Sequence, residues 1–68
     1  MKHKAKFREG QKVVITKWGG KPAKVHGVIE RLDYHDGEEF FYRVQPYSPS
    51  DGKPLAVRNF PQKELKRG

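Results

Sequence analysis

The chain has 68 residues, with fifteen Lys or Arg against eight Asp or Glu, a net charge of +7 and no cysteine. That describes one small domain with no disulfide to supplement its core and no thiol for catalysis or redox work. No apolar run approaches the roughly 18 residues of a membrane helix, and no apolar segment follows the basic start Met1–Lys6 as it would in a secretory signal, so a cytoplasmic protein without membrane attachment is expected.

Residues 1–6 read as a flexible basic arm, because no apolar residue anchors them before Phe7. Residues 7–68 read as one all-β domain. The phrase Phe7-Arg8-Glu9-Gly10-Gln11-Lys12-Val13-Val14-Ile15 is a glycine turn launching a β-branched strand over Lys12 to Lys17. Val13 and Ile15 fall on one side of that strand, and Lys12, Val14 and Thr16 on the other. Trp18-Gly19-Gly20-Lys21-Pro22 reads as a loop, being rich in glycine and proline. Val25 to Leu32 is the second strand. It contains Gly27, which packs nothing and costs backbone entropy, as at a bulge, a bend or a close approach of another backbone. Since Val28 and Ile29 are adjacent and break alternation, a bend at Gly27 that moves the strand from one sheet to another is expected.

Tyr34-His35-Asp36-Gly37 reads as a hairpin connection, since Asp-Gly tolerates positive φ. Glu38 to Gln45 is the third strand, with Phe40, Tyr42 and Val44 on one face and Phe41, Arg43 and Gln45 on the other. Pro46 to Pro54 is a longer loop. Leu55 to Arg58 is the fourth strand, with Leu55 and Val57 inward. Asn59 to Gln62 forms one 3-10 turn, and Glu64 to Lys66 a closing strand. Five short strands with one apolar face must curl to bury that face and hide their edges. The predicted core is Val13, Ile15, Val25, Val28, Ile29, Leu32, Phe40, Tyr42, Val44, Leu55, Val57, Phe60 and Leu65.

This pattern resembles an SH3-like small barrel, five-stranded with one 3-10 turn before the last strand. Gly10, Val13 and Ile15, followed by Gly27-Val28-Ile29, resemble the KOW motif of ribosomal proteins and transcription elongation factors over residues 7–32. The resemblance implies contact with RNA or with partner proteins through the loops beside that glycine, and so implicates Lys17, Trp18, Lys21, Lys24 and His26. The loop Trp18 to Lys24 is longer than a compact KOW loop. The ending Asn59 to Leu65 is also similar to small barrel subunits of photosynthetic reaction centres and to the nitrile hydratase β-type domain, which bind protein partners.

Charge points the same way as the first resemblance. Residues 1–24 carry eight basic side chains and one acid, whereas residues 25–68 are neutral overall. A basic segment of this kind suits a polyanion, with nucleic acid foremost. The predicted nucleic-acid-binding set is Lys4, Lys6, Arg8, Lys17, Trp18, Lys21, Lys24, His26, Phe41 and Arg43. The lysines and arginines would hold phosphates, and Trp18 and Phe41 would stack bases. Trp18 has a second reading, as a cover over the open end of the barrel. Phe41 and Arg43 form either a stacking platform or a protein contact.

No catalytic set emerges. Ser48 and Ser50 lie in a proline-rich loop with no histidine nearby in sequence, and Glu38 and Glu39 alternate across a strand. His3, His26 and His35 match no zinc spacing. The sequence therefore predicts a non-enzymatic monomer, with no metal or cofactor, that binds RNA or DNA with little sequence preference. The alternative is a protein-interaction or inhibitor module, of a size that suits a phage or plasmid accessory protein, docking through Phe41, Tyr47 and the Pro46–Pro54 loop.

Overall fold

The computed structural model describes residues 5–37 and 39–68. They form one five-stranded antiparallel sheet, with a 3-10 turn before the last strand. The strands are β1 (Lys12–Trp18), β2 (Lys21–Asp36), β3 (Glu39–Pro46), β4 (Arg58–Pro61) and β5 (Leu65–Arg67), and the turn is Gln62–Glu64. Their order across the sheet is β4-β3-β2-β1-β5. The two edge strands are thus neighbours in the chain, separated only by the 3-10 turn, and this requires the sheet to curl back on itself. Thr16 Oγ1 donates to the Glu64 carbonyl at 3.0 Å across that corner. No ladder joins β4 to β5, so the curl stops short of a closed barrel and leaves two short edges.

β2 organises the sheet. It pairs with β1 from Lys21 to Val28 and with β3 from Gly27 to Asp36. Gly27 lies where the two pairings overlap. A Cβ on Gly27 would lie 2.8 Å from Val44 Cγ1 and 3.1 Å from the Gln45 carbonyl oxygen. Of the roles open to a strand glycine, close approach is the one observed. Alternation runs straight through it, with Val25, Gly27 and Ile29 buried and Val28 half-buried on the outer face. The irregularities lie to either side, where β2 carries an extra residue against β1 at Ala23-Lys24, and Glu30 and Asp33 are each an extra residue against β3. Such bulges sharpen the local twist.

The core consists of Phe7, Val13, Ile15, Val25, Ile29, Phe40, Tyr42, Val44, Phe60 and Leu65. Four expected members depart from it. Val28 faces outward, for the reason just given. Leu32 is 43% exposed, because β1 pairs only with the first half of β2 and nothing lies over the inner face beyond it. Leu55 and Val57 are half-buried, because the fourth strand begins where they end. β4 pairs Val44 with Arg58 and Tyr42 with Phe60, which gives Phe60 the inward place. Pro61 is accommodated within β4 because an edge strand does not need every N–H. The 3-10 turn and the last strand accordingly begin later than the spacing predicts.

Phe7 is the core residue that the sequence reading omits. Its ring meets Tyr42 edge-on at 5.4 Å. The Tyr42 hydroxyl accepts from Lys6 N–H at 3.0 Å and donates to Gln62 Oε1, which also accepts from Lys6 N–H at 2.9 Å. The entering chain is therefore fastened to the curled sheet at Lys6 and Phe7.

Two turns are tighter than expected. Gly19 and Gly20, with φ of 60° and 80°, close a two-residue hairpin in which Trp18 pairs with Lys21. β2 therefore begins at Lys21 rather than Val25. Pro22 fits because this end of β2 pairs with β1 alone, so its missing N–H faces no partner. At the other end, β2 runs to Asp36 before Gly37 turns the chain.

Gly27→Ala should reduce stability by about 1–3 kcal/mol, the cost of overpacking a filled site. At roughly 4–8 °C per kcal/mol for a domain of this size, thermal circular dichroism should show a midpoint at least 4 °C lower. An unchanged midpoint would show that the β2–β3 contact yields easily.

Candidate nucleic-acid interface

On the outer face of β5, β1 and β2, the pleat lifts every second residue away from the core. Val14 pairs with Lys66 on one side and His26 on the other, and Lys12 pairs with Val28. Lys24 belongs to the same outward set of β2, and Lys12, Lys24, His26 and Lys66 are all exposed. The face thus carries three lysines and a histidine around two half-buried valines. The one acid that borders it, Glu30, is the next outward residue of β2 beyond Val28 and is paired with Arg43 of β3. Among the described residues the ion pairs are Arg31–Asp33, Arg43–Glu30 and Lys63–Glu39, and none of these draws on the three lysines.

Tyr47 borders this face. Its N–H donates to the His26 carbonyl at 2.8 Å, which fixes it beside β2. The loop it opens is held by its own bonds: Ser48 N–H to the Lys53 carbonyl at 2.8 Å, and Leu55 N–H to the Pro46 carbonyl at 2.9 Å. Gln45 Nε2 also donates to the Leu55 carbonyl at 2.6 Å. Between Tyr47, His26, Val28 and Lys12 runs a groove of about 610 Å³, with the Gly27 backbone in its wall.

The predicted binding residues fall into separate groups. Lys24 and His26 lie on the basic face. Lys17 and Lys21 are exposed at the β1–β2 hairpin. Lys6 and Arg8 are exposed, with their backbone N–H groups bonded. Lys4 lies outside the described residues. Trp18 is not in an open loop. It ends β1, half-buried, with its ring stacked on Phe60 at 5.8 Å and the Arg58 guanidinium 5.2 Å over it. Phe60 belongs to the core, so Trp18 caps the inner side of the curl.

Phe41 and Arg43 point the other way, onto the outer face of β3. Phe41 stacks on Tyr34 at 4.6 Å with 11° between ring planes. The Arg43 guanidinium sits 3.5 Å from Glu30. Trp18 and Phe41 therefore cannot form one platform. Sequence reasoning passed over Lys12 and Lys66. A strand alternation that made Lys12 outward was the available signal for the first. Lys66 comes from the charge-neutral part of the chain and joins the basic face only through β1–β5 pairing.

Among the described residues no three His, Asp or Glu side chains gather as a metal site would need, and no helix is long and apolar enough to cross a membrane. Comparison with protein-family models, with curated proteins and with solved structures finds no match.

If Trp18 is a structural cap, Trp18→Ala should lose about 1–3 kcal/mol in urea unfolding without any ligand, from lost burial and the Phe60 stack. A surface stacking residue would change stability by less than about 0.5 kcal/mol.

Proposed function

We propose that this chain is a non-enzymatic SH3-like small barrel that binds nucleic acid through the outer face of β5, β1 and β2. One observation carries the reading: Lys12, Lys24 and Lys66, from three strands, share a face with His26, and the acid at its border, Glu30, is taken up by Arg43. Isolated surface lysines are ordinary solvated residues. Three of them drawn together by register, beside an apolar strip, provide phosphate contacts next to a surface that excludes water. Lysine contacts to phosphate position a strand without reading its bases, so weak sequence preference is expected. Lys17 and Lys21 at the β1–β2 hairpin, and Lys6 and Arg8 where the chain enters the fold, are further exposed cations in separate places.

A second reading rests on a different surface. On the outer face of β2 and β3, Tyr34 is 49% exposed and stacks on Phe41, whereas Leu32 lies opposite Tyr42 on the other face. Large apolar groups left open together on a small protein suit a protein partner. This surface includes Phe41 but not Tyr47, which belongs beside the basic face. Binding through it would resist salt.

The test is the salt dependence of binding. Contact with about four to six phosphates gives a slope of log K against log[salt] near −3 to −5. Replacing Lys12, Lys24 and Lys66 together by Gln should reduce the magnitude of that slope by about 2 to 3, as three lost phosphate contacts require. A flat response, or an unaltered slope in the triple variant, would remove the reading and favour the Tyr34–Phe41 surface.

A further inference from the structure

Resting on the nucleic-acid reading, we propose that the groove beside Tyr47 takes an unstacked base, so that the ligand is a single strand rather than a duplex. A flat lysine face would hold either form, since both present phosphates. The groove adds a feature that only one form can use. Its volume of about 610 Å³ falls within the roughly 300–1,000 Å³ typical of sites for small organic groups. Its walls offer an aromatic ring, Tyr47, and an aliphatic one, Val28, with the backbone of Gly27 between them. An aromatic ring beside an aliphatic wall suits the planar, weakly polar face of a base.

The groove's rim is cationic. Lys12 and His26 line it directly, and Lys66 lies across β1 from His26, with Val14 paired to both. Strands lie about 4.8 Å apart, so Lys66 and His26 stand about 10 Å apart across the face. That separation places a cation on the far side of the apolar strip, where the backbone of a strand must run if its base enters the groove. Aromatic stacking combined with a basic track is the physical basis of single-strand binding without sequence preference. In a duplex the bases are already stacked and paired, so none would reach Tyr47 without the cost of unstacking.

The site is also preorganised. Tyr47 is held by the His26 carbonyl on one side and by its bridge to Pro54 on the other. The backbone that carries the ring therefore need not be ordered when a base arrives, which lowers the entropic cost of binding.

The experiment measures anisotropy with the full chain and three fluorescent probes: a 12-nucleotide oligo(dT), a 12-nucleotide oligo(U) and a 12-base-pair DNA duplex. Wild type, Tyr47→Ala, Tyr47→Leu and Tyr47→Phe are compared at fixed salt. Tyr47→Ala and Tyr47→Leu should weaken binding to one or both single strands by roughly 5- to 100-fold, the range reported for loss of one base stack. Both should leave the duplex within about twofold, and Tyr47→Phe should retain wild-type affinity. Unchanged duplex binding in the same samples shows that the variants are folded, and Tyr47→Leu retains apolar volume while removing the ring. Equal losses on all probes, or none, would overturn the base slot while leaving the phosphate-binding face in place. Failure of every probe to bind wild type would overturn both.

Discussion

At Gly27 the backbone of β2 comes so close to β3 that a Cβ would lie 2.8 Å from the Val44 side chain. The rest of the fold follows from that contact. β2 leaves β1 and takes up β3 at this point, so one long strand serves as the wall for both halves of the sheet. The close approach sets Val44 and Ile15 against each other in the core. It also brings the chain after β3 alongside His26, where Tyr47 is captured. The inner and outer consequences share one cause. What packs the core beneath Gly27 also builds the groove above it.

The curl of the sheet has a second fastening, at the opposite side. β4 and β5 are the two edges, and only three residues separate them. Trp18 and Arg58 stack over Phe60 near that corner, and Phe7 packs edge-on against Tyr42, whose hydroxyl bonds Gln62 of the turn. A domain of this size buries only about 60% of the surface of its unfolded chain, so large side chains at the margins are needed to complete the core. This accounts for the use of Trp18 as a cap rather than as a free stacking surface. It also accounts for Leu32, which lies past the reach of β1 and stays open.

Much of the architecture was legible in the sequence, and the misses have identifiable physical causes. The β-branched runs and the Gly10 turn gave the strands, and Gly27 stood out as an anomaly, but the adjacent Val28 and Ile29 suggested a bend between sheets where the structure has a close approach with unbroken alternation. The Gly19-Gly20 hairpin was read as a loop because Pro22 ordinarily interrupts a strand, and only the one-sided pairing of β2 at that end makes it harmless. Leu55 and Val57 looked more like strand residues than Arg58-Asn59-Phe60-Pro61, yet β3 pairs with the latter because Phe60 fills the core better. Phe7 was assigned no core place because it follows a run of cations. The basic face was half visible, through Lys24 and His26. Charge counted along the chain could not show that Lys66 lies across β1 from His26, since strand pairing brings together residues remote in sequence. The same limit separated Trp18 from Phe41, which the fold assigns to opposite sides of the sheet.

The account makes one face of one sheet the ligand surface, and amide chemical-shift mapping tests this most directly. The ¹⁵N-labelled full chain would be titrated with a 12-nucleotide single strand at low salt. The account predicts the largest shifts at Lys12, Val14, His26, Val28, Tyr47 and Lys66, with Leu32, Tyr34 and Phe41 little changed. Shifts concentrated at Tyr34 and Phe41, or none at saturating oligonucleotide, would contradict it.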